Sequence, residues 1–373
     1  MTDLAGTTAT DHSGRTHRVG VLRGDGIGPE VIAEAQETLE LAASLKGFGV
    51  SIEHFEAGSA YHLETGTPMA EDTPARLDGC DAILSGPFGD PRVPDSVLLW
   101  GTILGLRQRF DQFVNVRPAG PLPGVPGYLS SGVLDVVVIR ENTEGEYSGA
   151  GGRVHRGRAS EVAIETSVFT RHGTERVIRY AFEYARAHGR RHVTSATKSN
   201  ALRHAMPFWD DVMHAVQTDY PDIQHDEILI DALVARVLTH PESLDVIVAS
   251  NLFGDILSDL TAAAVGGLGT APSANLDPTR THPSLFQAVH GSAPDIAGQG
   301  VANPVAEILS VAMMLESLGE EASAAAIVRA VHASTAQPGT RTRDLGGTAS
   351  TRGAGEAIRA ELRSAVEAQT GAA

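Results

Sequence analysis

An α/β fold on a largely parallel sheet is predicted by three features of the sequence. Short runs dense in Val, Ile and Leu recur along the chain, apolar-striped helical segments alternate with them, and the joints between carry Gly, Pro, Asn and Asp. Continuous apolar runs suit strands buried on both faces, the condition of parallel sheets covered by helices. A length of 373 residues is ample for two core-bearing lobes.

In chain order, Arg18–Leu22 reads as a strand and Pro29–Leu45 as a helix with proline in its first turn. Asp81–Ser85 and Val133–Ile139 read as buried strands, Thr174–Ala187 as a helix and His192–Ala196 as a strand. Leu202–Val216 is an expected helix, Glu227–Ile230 a strand, and Leu244–Ser250 a buried strand running into helical spacing from Asn251 to Leu260. Ala302–Ser317 and Ala322–His332 are apolar-striped helices, and Gly353–Val366 is a closing amphipathic one. Pro118–Gly127 holds four prolines and three glycines in ten residues. It can be neither helix nor central strand, so it reads as a crossing between lobes. Gly266–Asn275 is a second candidate crossing.

The net charge of −17, from 29 basic and 46 acidic residues, argues against a nucleic-acid or anionic-membrane binder but leaves an anionic small substrate open. The one cysteine, Cys80, excludes an intrachain disulfide, fits a reducing cytosol and reads as structural. No run approaches the about 18 apolar residues of a membrane span, and no basic-then-apolar leader opens the chain. A soluble, cytoplasmic, enzyme-sized protein is expected, with residues 1–16 frayed.

Five segments could carry chemistry. Asp255 and Asp259 stand four apart after the Leu244–Ser250 strand, so both carboxylates project from one helix face. They are either a solvated acidic face or two oxygen ligands for Mg²⁺ or Mn²⁺. The loop Gly24–Gly28, G-D-G-I-G, is not the dinucleotide fingerprint, since its third glycine comes one residue early and Asp25 would repel a pyrophosphate. A tight turn is the reading preferred there. Arg107 and Arg117 lie near the first crossing and Arg140 follows the Val133–Ile139 strand; converging, they would bind a dicarboxylic acid. Arg109 reads as a surface residue or a lesser partner. Tyr147 is either a half-buried hydrogen-bonded tyrosine or a general acid with a pKa lowered by a nearby cation. Lys198, at a strand's carboxyl end in T-S-A-T-K-S-N, is a surface charge or a base. Asp231, ending the strand from Ile228, is a helix cap or a ligand. The Gly-rich loop His290–Pro304 suits an adenosine ribose, or is a plain loop in which Asn303 caps the next helix.

Taken together and in this order, L-R-Q-R-F-D-Q, R-E-N-T-E-G-E-Y, T-S-A-T-K-S-N, N-L-F-G-D-I-L-S-D and H-G-S-A-P-D-I-A-G resemble the β-decarboxylating dehydrogenases, the family of isocitrate and isopropylmalate dehydrogenases. The resemblance runs from about Val19 to about Leu362 and is strongest to the branch acting on malate and tartrate. It implies the isopropylmalate-dehydrogenase-like two-lobed fold rather than a Rossmann fold. Residues 1–112 and 269–373 would form a cofactor-side lobe, and residues 113–268 a central lobe that dimerises and holds metal and substrate.

The resemblance also implies roles. Arg107, Arg117 and Arg140 would clamp substrate carboxylates, Lys198 would take the hydroxyl proton, and Tyr147 would protonate the enol after CO₂ leaves. Asp255 and Asp259 would bind the metal with Asp231; Asp231 and Lys198 would reach over from the other subunit of an obligate homodimer. His290, Gly291, Ser292, Ala293, Asp295 and Asn303 would line the adenosine site, and Asn200 would lie on the nicotinamide side. Asp295 stands where NADP-using relatives carry lysine, and a carboxylate repels a 2′-phosphate, so NAD is expected. A monovalent cation such as K⁺ is a further cofactor the resemblance allows. Trp100 stands where isopropylmalate enzymes carry glutamate, and Gly101 where isocitrate enzymes carry serine; an indole there favours a malate- or tartrate-sized substrate. Gln287 and Ala288 depart from the Glu-Pro that relatives usually read, which leaves nicotinamide-side tuning open. The expected activity is NAD-dependent oxidative decarboxylation of a small 2-hydroxy dicarboxylic acid, D-malate (to pyruvate and CO₂) or tartrate. The alternatives are 3-isopropylmalate as substrate, a metal-dependent hydrolase, and a non-enzymatic subunit.

Overall fold

Residues 14–129 and 132–370 are described by the computed structural model. The chain opens with β1 (Thr16–Leu22), α1 (Gly28–Lys46), β2 (Gly49–Phe55), α2 (Ser59–Thr65), α3 (Thr73–Leu77), β3 (Ala82–Ser85), α4 (Asp95–Gly101) and α5 (Ile103–Arg109). A central portion follows: β4 (Val114–Ala119), β5 (Val136–Glu141), β6 (Gly145–Val154), β7 (Val162–Val168), α6 (Arg171–Ala187), β8 (His192–Thr197), α7 (Ala205–Val216), β9 (Gln224–Leu229), α8 (Ile230–Thr239), β10 (Val246–Ala249) and α9 (Asn251–Val265). The chain returns through β11 (Pro272–Leu276) and β12 (Ser284–Ala288), and closes with α10 (Val305–Ser317), α11 (Glu321–Ala336) and α12 (Thr351–Thr370).

Ten strands form one sheet in the order β2-β1-β3-β12-β11-β4-β5-β10-β8-β9. The outer four strands on each side are mutually parallel, whereas β11 and β4 are antiparallel to each other and to their neighbours. The sheet is therefore largely parallel, as expected, with its two parallel blocks running in opposite directions. Alternation places Val137 and Ile139 in a core under α6, α7 and α10, while Val136 and Val138 face a second core under α8 and α9. Both faces being covered explains why these strands read as unbroken apolar runs.

The two crossings are where expectation and structure part. Pro118 lies inside β4, the sixth strand of ten, and Pro272–Asn275 lies inside β11. Proline is tolerated at 118 because β11 pairs with β4 only from Val114 to Val116, leaving Pro118 a neighbour on the β5 side alone. Buried amides lock this seam: Asn115 Nδ2 donates to Ser273 Oγ at 2.7 Å and to the Ala274 carbonyl at 3.0 Å. The expected lobe boundaries, 112/113 and 268/269, fall just ahead of these two strands. Smaller differences have local causes. The strand expected from Val133 begins at Val136, with Val133 exposed. The helix expected from Leu202 begins at Ala205, and Ile230 opens α8 instead of closing β9. The helix expected from Ala302 begins at Val305, whose N–H is accepted by Asn303 Oδ1 at 3.0 Å. Thr16 already belongs to β1; the fraying expected of the first thirteen residues lies outside the described residues. Cys80 is buried, in keeping with a structural part.

The Gly24–Gly28 loop is the tight turn expected of it. The Asp25 carboxylate is turned inward, accepting the Ser59 and Gly89 N–H groups at 2.8 and 3.0 Å. The Ile27 N–H donates to the Ser292 carbonyl at 2.8 Å, so the loop braces the segment that begins at His290. Gly26 has φ +59°, and a Cβ added there would lie 2.0 Å from Ser292 O. Gly26→Ala is expected to lower stability by more than the roughly 1–2 kcal/mol of a left-handed non-glycine residue, read as a fall in denaturant midpoint; an unchanged midpoint would contradict this packing.

Candidate active site

The apolar strand β10 delivers the chain to α9, whose N-terminus is capped from outside. Glu146 of β6 accepts the Leu252 N–H and the Ser250 hydroxyl, each at 3.0 Å, where a carboxylate also meets the positive end of the helix dipole. Gly254 lets α9 lie against β5: a Cβ there would sit 2.6 Å from Arg140 Cβ. This close approach aims Asp255 into the sheet.

Three buried guanidiniums gather around that carboxylate. Asp255 Oδ1 accepts from Arg140 Nη1 and, at 3.1 Å, from Arg117 Nη1, and Oδ2 accepts the Tyr147 hydroxyl at 3.1 Å. Asn251 Oδ1 accepts from Arg140 Nε and Nη2 at 3.0 and 2.7 Å, and Ser258 Oγ accepts from Arg117 at 2.7 Å. Arg107 is buried among them and, within the described residues, has neither ion pair nor side-chain hydrogen bond. Burial, then Arg140 and Arg117, pull its pKa well below the ordinary value; burial and Arg140 bring Arg117 down to about 10. Burial opposes ionisation of Asp255, yet Arg140, Arg117 and Arg107 together hold it below the usual carboxylate range. Asp259, 3.7 Å from Arg117 Nη1, is pushed up by burial despite Arg117, with Asp255 adding to the rise. The lowered tyrosine pKa considered from the sequence is not found, because burial, then Asp255, raise Tyr147 against the pull of Arg140.

Asp255 and Asp259 offer only oxygen donors, which suits a hard divalent cation as part of its shell. No group of three or more His, Cys, Asp or Glu side chains among the described residues could close such a shell. Asp231, in the first turn of α8, instead accepts from Lys198 Nζ. Within one chain the described residues show no hydrogen bond or ion pair between the Lys198–Asp231 pair and the Asp255 cluster. Asn200 is exposed in the turn after Lys198, and Arg109 is exposed as well.

A separate cavity of about 510 Å³ is lined by His290, Gln299, Asn303 and Asp344, among others. His290 Nε2 is buried without a partner, and burial keeps this imidazole neutral by lowering its pKa. Asn303 Nδ2 donates to Asp344 Oδ2 at 2.9 Å. An orphaned ring nitrogen beside amide and carboxylate groups fits the polar edge of a nucleotide. Ala293 has φ +40°, Gly291 and Asp295 are exposed, and Ser292 is buried against the glycine loop instead of lining the cavity. Asp344 and Arg343 were not visible as site residues in the sequence, since they reach the cavity from a turn some forty residues beyond Asn303. Trp100, at the end of α4, is 38% exposed, and its ring edge would lie 2.9 Å from a Cβ at Gly149 of β6.

A family profile described as isocitrate/isopropylmalate dehydrogenase matches residues 18–358. The chain belongs to the isocitrate/isopropylmalate dehydrogenase family. This family member is 51% identical over 310 residues to the decarboxylating D-malate dehydrogenase of Escherichia coli (strain K12), covering 82% of this chain and 86% of that relative. It is 47% identical over 352 residues to the tartrate dehydrogenase/decarboxylase of Pseudomonas putida, covering 91% and 96% respectively. Among solved structures, isocitrate dehydrogenase from Methylococcus capsulatus matches with a TM-score of 0.85 at 36% identity, over 93% of this chain and 99% of that one. The fold is thus the family's, and the hydrolase alternative loses its support. Asn251, Gly254, Ser258 and Glu146 hold the arginine cluster in place; the sequence offered only the proximity of the first three to Asp255 and nothing that joined Glu146 to them.

Asn251→Ala would leave two Arg140 donors buried and unpaired. Stability is expected to fall by about 1.5–3 kcal/mol, the scale for hydrogen bonds to charged groups, in denaturant titration, with Ser258→Ala costing less.

Proposed function

We propose that this dehydrogenase carries out NAD-linked oxidative decarboxylation of a small 2-hydroxy dicarboxylic acid, with D-malate or tartrate as substrate. One observation carries the reading: Arg107 is a buried guanidinium with no anionic partner of its own among the described residues, beside Arg117 and Arg140. Three guanidiniums against Asp255 and Asp259 leave a positive excess that a dicarboxylate relieves by bidentate hydrogen bonds. The indole of Trp100, set against Gly149 two residues after Tyr147, would favour a compact acid over 3-isopropylmalate. Relatives that act on D-malate and tartrate have the same family membership.

Asp255 and Asp259 would hold Mg²⁺ or Mn²⁺, with Asp231 of a second copy completing the oxygen shell. When bound, the cation supplies Lewis-acid polarisation of the C2 oxygen, and NAD⁺ supplies the hydride acceptor. Arg107, Arg117 and Arg140 orient the two carboxylates. Lys198 of the second copy takes the C2 hydroxyl proton as the alcohol is oxidised. The β-carboxylate then leaves as CO₂, its bonding electron pair passes to the enolate, and Tyr147 returns a proton to carbon. The separation of Lys198 and Asp231 from the Asp255 cluster supports a homodimer with shared sites. So does the β6–β7 arm, a two-stranded sheet on which Val154, Val162 and Ile164 are exposed. NAD in place of NADP rests on the carboxylate of Asp295, and a cytoplasmic location on the single buried cysteine. No helix among the described residues is long and apolar enough to cross a membrane.

A panel of D-malate, the tartrate isomers and 3-isopropylmalate, with NAD⁺ or NADP⁺ and Mn²⁺, read as absorbance of the reduced cofactor, tests this. NADH is expected with D-malate or tartrate and is abolished by chelation; silence across the panel would sink the proposal. Lys198→Met is expected to remove oxidation while the protein still elutes as a dimer. Tyr147→Phe is expected to slow oxaloacetate decarboxylation by about 10²–10⁴-fold, the usual span for a general acid, with a smaller effect on oxaloacetate reduction.

A further inference from the structure

Glu307 is a fully buried carboxyl that none of these steps employs. It sits in the first turn of α10, at 0% exposure, four residues after Asn303 of the cavity. Its Oε2 accepts the Ala288 N–H at 2.9 Å, and its Oε1 has no partner among the described residues. Ala288 is the last residue of β12, beyond Phe286 where the pairing with β3 stops, and its amide goes to Glu307 instead of to a strand carbonyl. The Val289 N–H donates to the Ala271 carbonyl at 3.0 Å, and His290 follows with its unpartnered Nε2 at the cavity. The Glu307–Ala288 bond thus ties α10 to the sheet at the point where the chain departs for His290.

The surroundings of Glu307 are neutral. No ionisable side chain of α1, α11, β3, β11 or β12 pairs with it among the described residues. His290, two residues beyond Ala288, turns Nδ1 toward the Gly291 carbonyl at 3.0 Å. Burial pushes the Glu307 carboxyl up to about 8, opposed only by the Ala288 N–H. At neutral pH it is a carboxylic acid.

We propose that Glu307 is a positioning residue for the dinucleotide, acting through the Ala288 amide on the turn that carries His290 at the cavity. It rests on the dinucleotide reading of that cavity. As an uncharged acid, Glu307 tolerates its dry site and holds the amide. Once ionised, it has no counter-ion among the described residues, so water enters the seam between α10 and β12 and the turn loosens. The sign for stability follows from proton counts. Between the ordinary carboxyl value of 4.5 and about 8, the native state keeps a proton that the unfolded chain has released. Stability therefore declines through that interval as pH rises and is level above it. Glutamine, isosteric and unable to ionise, keeps the acceptor without this loss.

The test is NADH affinity, read by fluorescence titration of the full-length protein below and above about pH 8, with thermal midpoints alongside. In the wild type, the dissociation constant is expected to rise above that pH by about three- to tenfold as the hydrated seam loosens the turn, a change on the scale of one net hydrogen bond. Glu307→Gln should bind as tightly as the wild type at neutral pH, flatten the rise, and show a gain in melting temperature over the wild type that grows up to about pH 8 and is level above it. Ala288→Pro, which removes the donor, and Glu307→Ala, which removes the acceptor, should bind NADH more weakly at every pH. A Glu307→Gln profile identical to that of the wild type would overturn the proposal, as would wild-type affinity in Glu307→Ala. Absence of NADH binding in all the proteins, with the melting gain of Glu307→Gln intact, would overturn it through the dinucleotide reading rather than through Glu307.

Discussion

Three guanidiniums held out of water around one carboxylate is the constraint on which the site depends. Arg140 and Arg117 both bond to Asp255, while Arg107 lies beside them without a partner among the described residues. Like charges this close in a poorly solvated pocket repel strongly, so every neighbouring feature serves to hold them. Asn251 takes two Arg140 donors, Ser258 takes an Arg117 donor, and Gly254 gives up its side chain so that α9 can approach. Glu146 fixes the start of that helix. The leftover positive charge is what makes the pocket receptive to a diacid.

The sheet supplies the rigidity this arrangement requires. Its two parallel blocks run in opposite directions and meet at β11 and β4, joined by three residue pairs and a cluster of buried amides. The arginine cluster forms beside β4 and β5, and the nucleotide-type cavity beside the end of β12, so both sites are referred to one framework. On the cavity side, bracing comes from the glycine loop under Ser292 and from Glu307 under Ala288. Each contact satisfies a backbone group that strand pairing leaves free.

What the sequence determined by itself was the alternation of buried strands and helices, because burial on both faces writes unbroken apolar runs and helical stripes directly into local composition. It also determined which side chains carry charge beside a turn, from Arg107 through Asp259, and its motifs carried the family. Asp25 was legible as part of a turn because the glycines around it have only a few conformational uses. The tertiary structure alone decided that a central strand ends inside the proline-rich crossing, at Pro118 and Ala119, since β11 stops pairing before Pro118, a matter of register and not of composition. It alone decided that, within one chain, Asp231 pairs with Lys198, and that Asp344 joins Asn303. Those contacts link residues tens of positions apart, and local sequence holds no record of which distant chain will pack alongside. Glu307 makes the same point: a glutamate on a helix reads as exposed until the sheet and its neighbouring helices close over it.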